Sequence, residues 1–215
     1  MGMFATSATQ KLCFYISPRI TNYDLTERYC IEKILRYVRQ RSVKEKWKKF
    51  KQQSKHTIII EQTATFVAKW LQPEKEVSCS YIKSSLNTIA QDVLSRLKQK
   101  HPNHKIFSEN ATHKFSYTSY IDNNVYDNFW NLEESTQILD ILEEHMFKEL
   151  NFRPSKSNVK KLEYSCIDNV LKNKYGHKII LLIIYQSVAR RLGVRCDIEN
   201  IRNAREQLRK CNVHY

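Results

Sequence analysis

The run Tyr175 to Val194, YGHKIILLIIYQSVARRLGV, constrains this chain most, because a glycine, an apolar helix, a basic pair and a second glycine follow in order. Ile179, Ile180, Leu182, Ile183, Ile184, Val188 and Leu192 leave almost no polar face before Gln186, so the segment reads as a helix buried inside a domain. Gly176 is expected to supply the positive-φ stop of the preceding helix, and Gly193 the left-handed end of this one. Lys178, Arg190 and Arg191 confine the uncharged apolar stretch to about a dozen residues, short of the ~20 that a bilayer requires. No membrane partner is therefore expected.

Three glycines and four prolines in 215 residues argue for helices with few breaks, and 41% apolar residues suffice for a packed core. Six cysteines (Cys13, Cys30, Cys79, Cys166, Cys196, Cys211) are spread without a CxxC pair, which fits reduced thiols in the cytoplasm or nucleus and neither zinc nor another cofactor. Residues 1–15 have no sustained apolar core and no basic start, so no secretory leader is expected.

The net charge of +14 is uneven. Arg39, Arg41, Lys44, Lys46, Lys48, Lys49, Lys51 and Lys55 stand against Glu45 alone, which makes eight minus one, or +7, between residues 39 and 55. Such a run attracts nucleic-acid phosphate or an acidic partner. It also fits the solvated face of a long helix, the preferred reading, because no Gly-rich RNA loop, zinc finger or aromatic stacking motif accompanies it. Trp47 and Phe50 are expected on a buried stripe of that helix.

Along the chain, residues 1–23 read as a loosely ordered lead-in. Asp24 with Glu27 resembles a capping box, opening a helix that runs to about Gln53 with a break near Ser42. A second helix is expected from Thr57 to Leu71, with Ile60, Ala64, Val67, Ala68 and Leu71 inward, and Pro73 then forces a connection. Ser78 caps a third from Ser80 to Lys100, whose apolar positions recur at three and four. Residues 103–130 read as an extended connection. Asn131 with Glu134 opens a helix to Leu150, on which His145 is read as a satisfied, half-buried histidine and not a metal ligand. Helices follow from Glu163 to Lys174 and from Lys178 to Leu192, and a short polar one is expected from Arg202 to Lys210.

Gly176, Tyr185, Ala189, Arg190, Leu192, Gly193 and Val194, with YSCIDNVL at residues 164–171 and YCIEKILRYVR at residues 29–39, resemble the SirB-type transglutaminase-like domain of bacterial proteins and of the F-box only protein 21 family, the latter more closely. The resemblance covers roughly Thr26 to Asp197. It implies a mainly α-helical, irregular bundle carrying the helical half of a transglutaminase-like domain, with a helical middle region at 24–130, a partial SirB-type domain at 131–197 and a divergent tail at 198–215.

Enzymes of this fold place a nucleophilic cysteine at the start of the central helix, and the family's spacing puts that position at Lys178, which cannot form a thiolate. The resemblance thus implies no catalytic residue, with Cys166 and Cys196 structural. The family's Phe-Pro-x-His-Phe segment has no counterpart after Val194, and His214 is not carried over, so the sheet half is expected to be missing and Ile179 and Ile183 to lack cover. No F-box pattern precedes Asp24, and the chain reads as truncated at both ends. The implied function is a non-enzymatic interaction segment of a ubiquitin-ligase substrate-recognition subunit. Its partner would be a protein or ubiquitination substrate, with the Skp adaptor and cullin reached only in a full-length form. The alternative is a basic helical nucleic-acid-binding protein acting through residues 39–55. A cysteine transferase or hydrolase is the least favoured reading.

Overall fold

The computed structural model describes residues 24–53, 58–108, 128–156 and 161–196. Expectations for residues 1–23, Lys55, the middle of the 103–130 connection, Arg202–Lys210, His214, Cys13 and Cys211 lie outside them. The chain divides into two compact units, one of Met1–Gln53 with Lys69–Val77, the other of Ser54–Ala68 with Ser78–Tyr215.

In the first unit α1 runs unbroken from Leu25 to Lys51, without the expected interruption at Ser42. Asp24 caps it through the Thr26 N–H at 3.4 Å, and Lys48, Lys49 and Lys51 sit in the last turn, where cations complement the helix dipole. Leu35 and Phe50 are buried, and Trp47 stacks on Phe50 with ring centroids 5.4 Å apart. Arg39 is turned to the connection after Leu71. Its Nη1 donates to the carbonyls of Pro73 and Glu74, each at 2.8 Å.

The second unit holds most of α2 (Ile60–Leu71) and all of α3 (Cys79–Lys100), α4 (Leu132–Glu143), α5 (Ile167–Asn173) and α6 (Lys178–Arg191). The six helices make the described residues mainly α-helical. Helix α6 packs against α3, α4 and α5, and α3 also packs against α4 and α5. Ser78 caps α3 through the Tyr81 N–H at 3.2 Å, and Asn131 with Glu134 forms a complete capping box on α4.

Several expectations are corrected here. Helix α2 begins at Ile60, and its inward face carries Glu61, Ala64, Thr65 and Ala68 while Val67 is exposed. Beyond Glu143 the chain widens into a π-helical turn, Glu144–Glu149, closed by the Leu150 N–H on the His145 carbonyl at 2.9 Å. His145 there is buried, with Nδ1 2.9 Å from Glu149 Oε2. The helix expected from Glu163 splits at Cys166 into a 3-10 turn, Leu162–Ser165, and α5. The left-handed residue ending α5 is Lys174 at φ 59°, and not Gly176.

The expected gap over α6 is also absent. From Ile180 to Tyr185 and from Ser187 to Arg191 every residue is buried, Ile183 among them, and Ile179 is half-buried. Strands β1 (Arg153–Pro154) and β2 (Tyr175–Gly176) pair in parallel, the one sheet among the described residues. No described helix is long and apolar enough to cross a membrane.

His104 ties the 3-10 turn Lys105–Phe107 to α4. Its Nδ1 accepts the Ile106 N–H at 3.0 Å, so Nε2 carries the proton toward the Glu134 carbonyl at 3.1 Å. Burial holds its pKa below the ordinary imidazole value, because desolvation penalises the charged ring. A depressed pKa contributes stability above the unfolded value, about 6.5, which is lost as pH falls through that value toward the folded one. The urea midpoint should therefore drop between pH 7 and pH 5.5, and by less in His104→Gln.

Candidate functional site

Helix α6 is built differently at its two ends. At its start, His177 occupies the N-cap and its N–H donates to the Tyr164 carbonyl at 2.9 Å. Gly176 precedes it because nothing larger fits: a Cβ there would lie 2.3 Å from Val170 Cγ2 and 3.1 Å from the Tyr164 carbonyl oxygen. The parallel pairing of Arg153 with Tyr175 and Pro154 with Gly176 brings Ser155 next to His177. The Ser155 Oγ and His177 Nδ1 are 2.9 Å apart, and the Ser155 N–H donates to the Gly176 carbonyl at 2.7 Å. Tyr164 meets both Tyr175 and His177 edge-on.

Lys178, at the position that the resemblance gives to a nucleophile, is the first residue of α6 and is exposed. The arrangement offers a hydroxyl and imidazole in contact beside a primary ammonium. Cys166 is buried at the N-cap of α5, with Sγ 3.2 Å from the Leu162 carbonyl oxygen, and Cys196 is buried beyond the end of α6. The Ser155–His177 pair leaves no signal in the sequence, because it depends on a two-residue strand pairing too short for a periodic pattern.

At the other end, Arg190 and Arg191 are fully buried and converge on Glu61 of α2. Arg191 grips the carboxylate with both terminal nitrogens, Nη1 to Oε2 at 2.5 Å and Nη2 to Oε1 at 2.6 Å. Its Nε donates to Asn87 Oδ1 at 2.8 Å, and Nη1 also donates to the Ser187 carbonyl at 2.7 Å. Arg190 Nη2 reaches Glu61 Oε2 at 3.1 Å. This two-pronged pairing is the strong form of a guanidinium–carboxylate contact. Sequence reading found Arg190 but missed Glu61 and Asn87. The available signal was that Glu61 is the single acidic residue between His56 and Gln72.

Gly193, at φ 77°, then turns the chain, with its N–H on the Arg190 carbonyl and the Val194 N–H on the Ala189 carbonyl, the two bonds of a Schellman ending. The freed Leu192 carbonyl accepts from Trp130 Nε1 at 2.6 Å, and the Gly193 carbonyl from the Phe129 N–H at 3.0 Å. Tyr185 lies mid-helix with its hydroxyl 3.4 Å from the Leu139 carbonyl oxygen, and Ala189 is buried. The family-motif residues thus stand at the two ends and the inner face of one helix. The basic residues of α1 belong to the other unit, where Arg41, Lys44, Lys46, Lys48, Lys49 and Lys51 are exposed. Among the described residues no group of three His, Cys, Asp or Glu could hold a metal ion.

The model of the transglutaminase-like superfamily matches residues 81–201, more than half of the chain, and the chain belongs to that superfamily. The match takes in α3, apart from its first two residues, and α4 to α6 entire. Among curated proteins the chain is similar to F-box only protein 21 of Mus musculus, 24% identical over 179 residues, and of Homo sapiens, also 24% over 179. Each alignment covers 82% of this chain and 26% of the relative, so the chain spans about a quarter of the length of the curated relatives it matches and is their distant homologue. No solved structure gives a significant match.

Replacing one member of the buried cluster strands the others. Glu61→Ala should cost ~3–5 kcal/mol, the range for breaking a buried ion pair from one side. In a double-mutant cycle with Arg191→Ala, urea unfolding should show strongly non-additive losses.

Proposed function

We propose that this member of the transglutaminase-like superfamily is a non-enzymatic interaction segment, serving substrate recognition in a ubiquitin-ligase subunit similar to F-box only protein 21. The observation that carries the reading is Lys178, an exposed ammonium at the first residue of α6. Acyl transfer in this fold needs a thiolate there, activated by a histidine and by the positive end of the helix. A lysine supplies neither the sulfur nor a leaving group for the second half of that reaction.

The buried cysteines support the same reading. Cys166 is fully buried with its sulfur against the Leu162 carbonyl, which shuts it off from any substrate. Ser155 and His177 link β1 to the start of α6, and Ser155 is only 8% exposed, so its hydroxyl serves the junction. Recognition of a protein substrate, with adaptor and cullin engaged by the rest of a longer chain, accounts for a helical unit whose central helix is buried.

The purified protein should neither incorporate a primary amine into a glutamine substrate nor hydrolyse a thioester above the buffer rate. Turnover abolished by Cys166→Ser, Cys196→Ser or Ser155→Ala would overturn the non-enzymatic half. For the recognition half, deleting the segment of F-box only protein 21 that aligns with this chain should abolish substrate-dependent ubiquitin transfer. Transfer that survives the deletion would remove the role.

A further inference from the structure

We propose that α1 binds single-stranded nucleic acid along one exposed face. Tyr29, Lys33, Tyr37 and Arg41 follow one another at intervals of four, so they stand in a row up the helix. Lys44 and Lys48 continue the row, and Lys51 closes it. All seven are exposed, with the two rings 57% and 62% accessible. The rings are held by their cationic neighbours: Lys33 Nζ lies 4.6 Å from the Tyr29 ring centre, and Arg41 Nη1 is 3.3 Å from the Tyr37 hydroxyl. Tyr29 and Tyr37, the accessible rings of the row, precede the basic run that begins at Arg39.

The acidic residues of α1 fall elsewhere. At 3.6 residues per turn, Glu27 and Glu32 lie off the row, where Glu32 pairs with Arg28 at 3.3 Å, and Glu45 flanks it, 3.1 Å from Lys48. The row therefore presents five cations over about 33 Å, at 1.5 Å per residue from Tyr29 to Lys51, with one carboxylate, Glu45, at its flank against Lys48. Arg39 takes no part, because its guanidinium is turned to Pro73 and Glu74.

A tract of cations alone attracts any polyanion. Accessible rings set into it select unpaired bases, whose faces stack on aromatic side chains and are hidden inside a duplex. An interfacial membrane helix would instead need a continuous apolar face. On this row each tyrosine is followed by a cation, and the exposed apolar residues of α1, Leu25 and Ile34, stand singly and form no continuous face.

The test is fluorescence anisotropy of the full chain with a labelled 20-nucleotide oligouridylate and a 20-base-pair RNA duplex, between 50 and 200 mM KCl. The single strand should bind more tightly than the duplex, with affinity falling steeply as salt rises. Arg41→Glu/Lys44→Glu/Lys48→Glu should abolish binding at 200 mM. Tyr29→Ala/Tyr37→Ala should weaken the single strand ~5-fold or more per ring, the lower end of base-stacking energies, with little change in salt slope. These positions are exposed, so circular dichroism should be unchanged; where a glutamate variant loses helix, Lys44→Gln/Lys48→Gln replaces it. Equal binding of duplex with silent tyrosine variants would overturn the proposal, as would no binding at 50 mM. Binding to vesicles of anionic lipid without binding to oligouridylate would overturn it in favour of a membrane surface.

Discussion

The carboxylate of Glu61 is the contact on which the rest of the second unit depends, because two guanidinium groups with no access to water converge on it. Desolvating an ion costs several kcal/mol, and the loss is offset only where partners and hydrogen bonds are complete. Here Arg191 has Glu61, Asn87 and the Ser187 carbonyl, and Arg190 shares the same carboxylate. An apolar core would accept many registers of α2 and α3 against α6. A carboxylate that must meet Arg191 and an amide that must meet its Nε reject nearly all of them, so the cluster serves as a register pin, a use well attested for buried polar groups.

The helical periods were largely legible, since α3, α4 and α6 have sustained apolar spacing and cap residues that the structure confirms at Ser78, Asn131 and Gly193. On α2 the inward Ala64 and Ala68 were legible, but Val67 is exposed and Glu61 buried, because an apolar scale ranks Val67 above Glu61 whereas burial here follows the partner each side chain finds. The π turn at Glu144–Glu149 had no period of its own, since one extra residue per turn is invisible to a pattern that tolerates three or four. It ends at Asn151 in a left-handed conformation that asparagine adopts readily.

The cover over α6 was misjudged for a more general reason. Ile179 and Ile183 were expected to lack cover, yet α5 and the segment around Trp130 close on the helix together with α3 and α4. Short elements contribute little to a sequence pattern and much to burial: α5 is seven residues long and five of them are buried.

The positions that carry the family likeness each have a reason in packing. Gly176 is small because Val170 and the Tyr164 carbonyl leave no room, Gly193 is required by a positive φ, and Arg190 shares the Glu61 carboxylate with Arg191. Ala189 is buried beside these, and Tyr185 reaches α4. Not one of these positions needs chemistry to explain it. A motif built of such residues identifies a fold and says nothing of the reaction it hosts. The residues that would decide chemistry, Lys178, His177 and Ser155, stand at the opposite end of the helix from the ion cluster. That separation places Lys178, His177 and Ser155 away from the contacts that set the cluster's register.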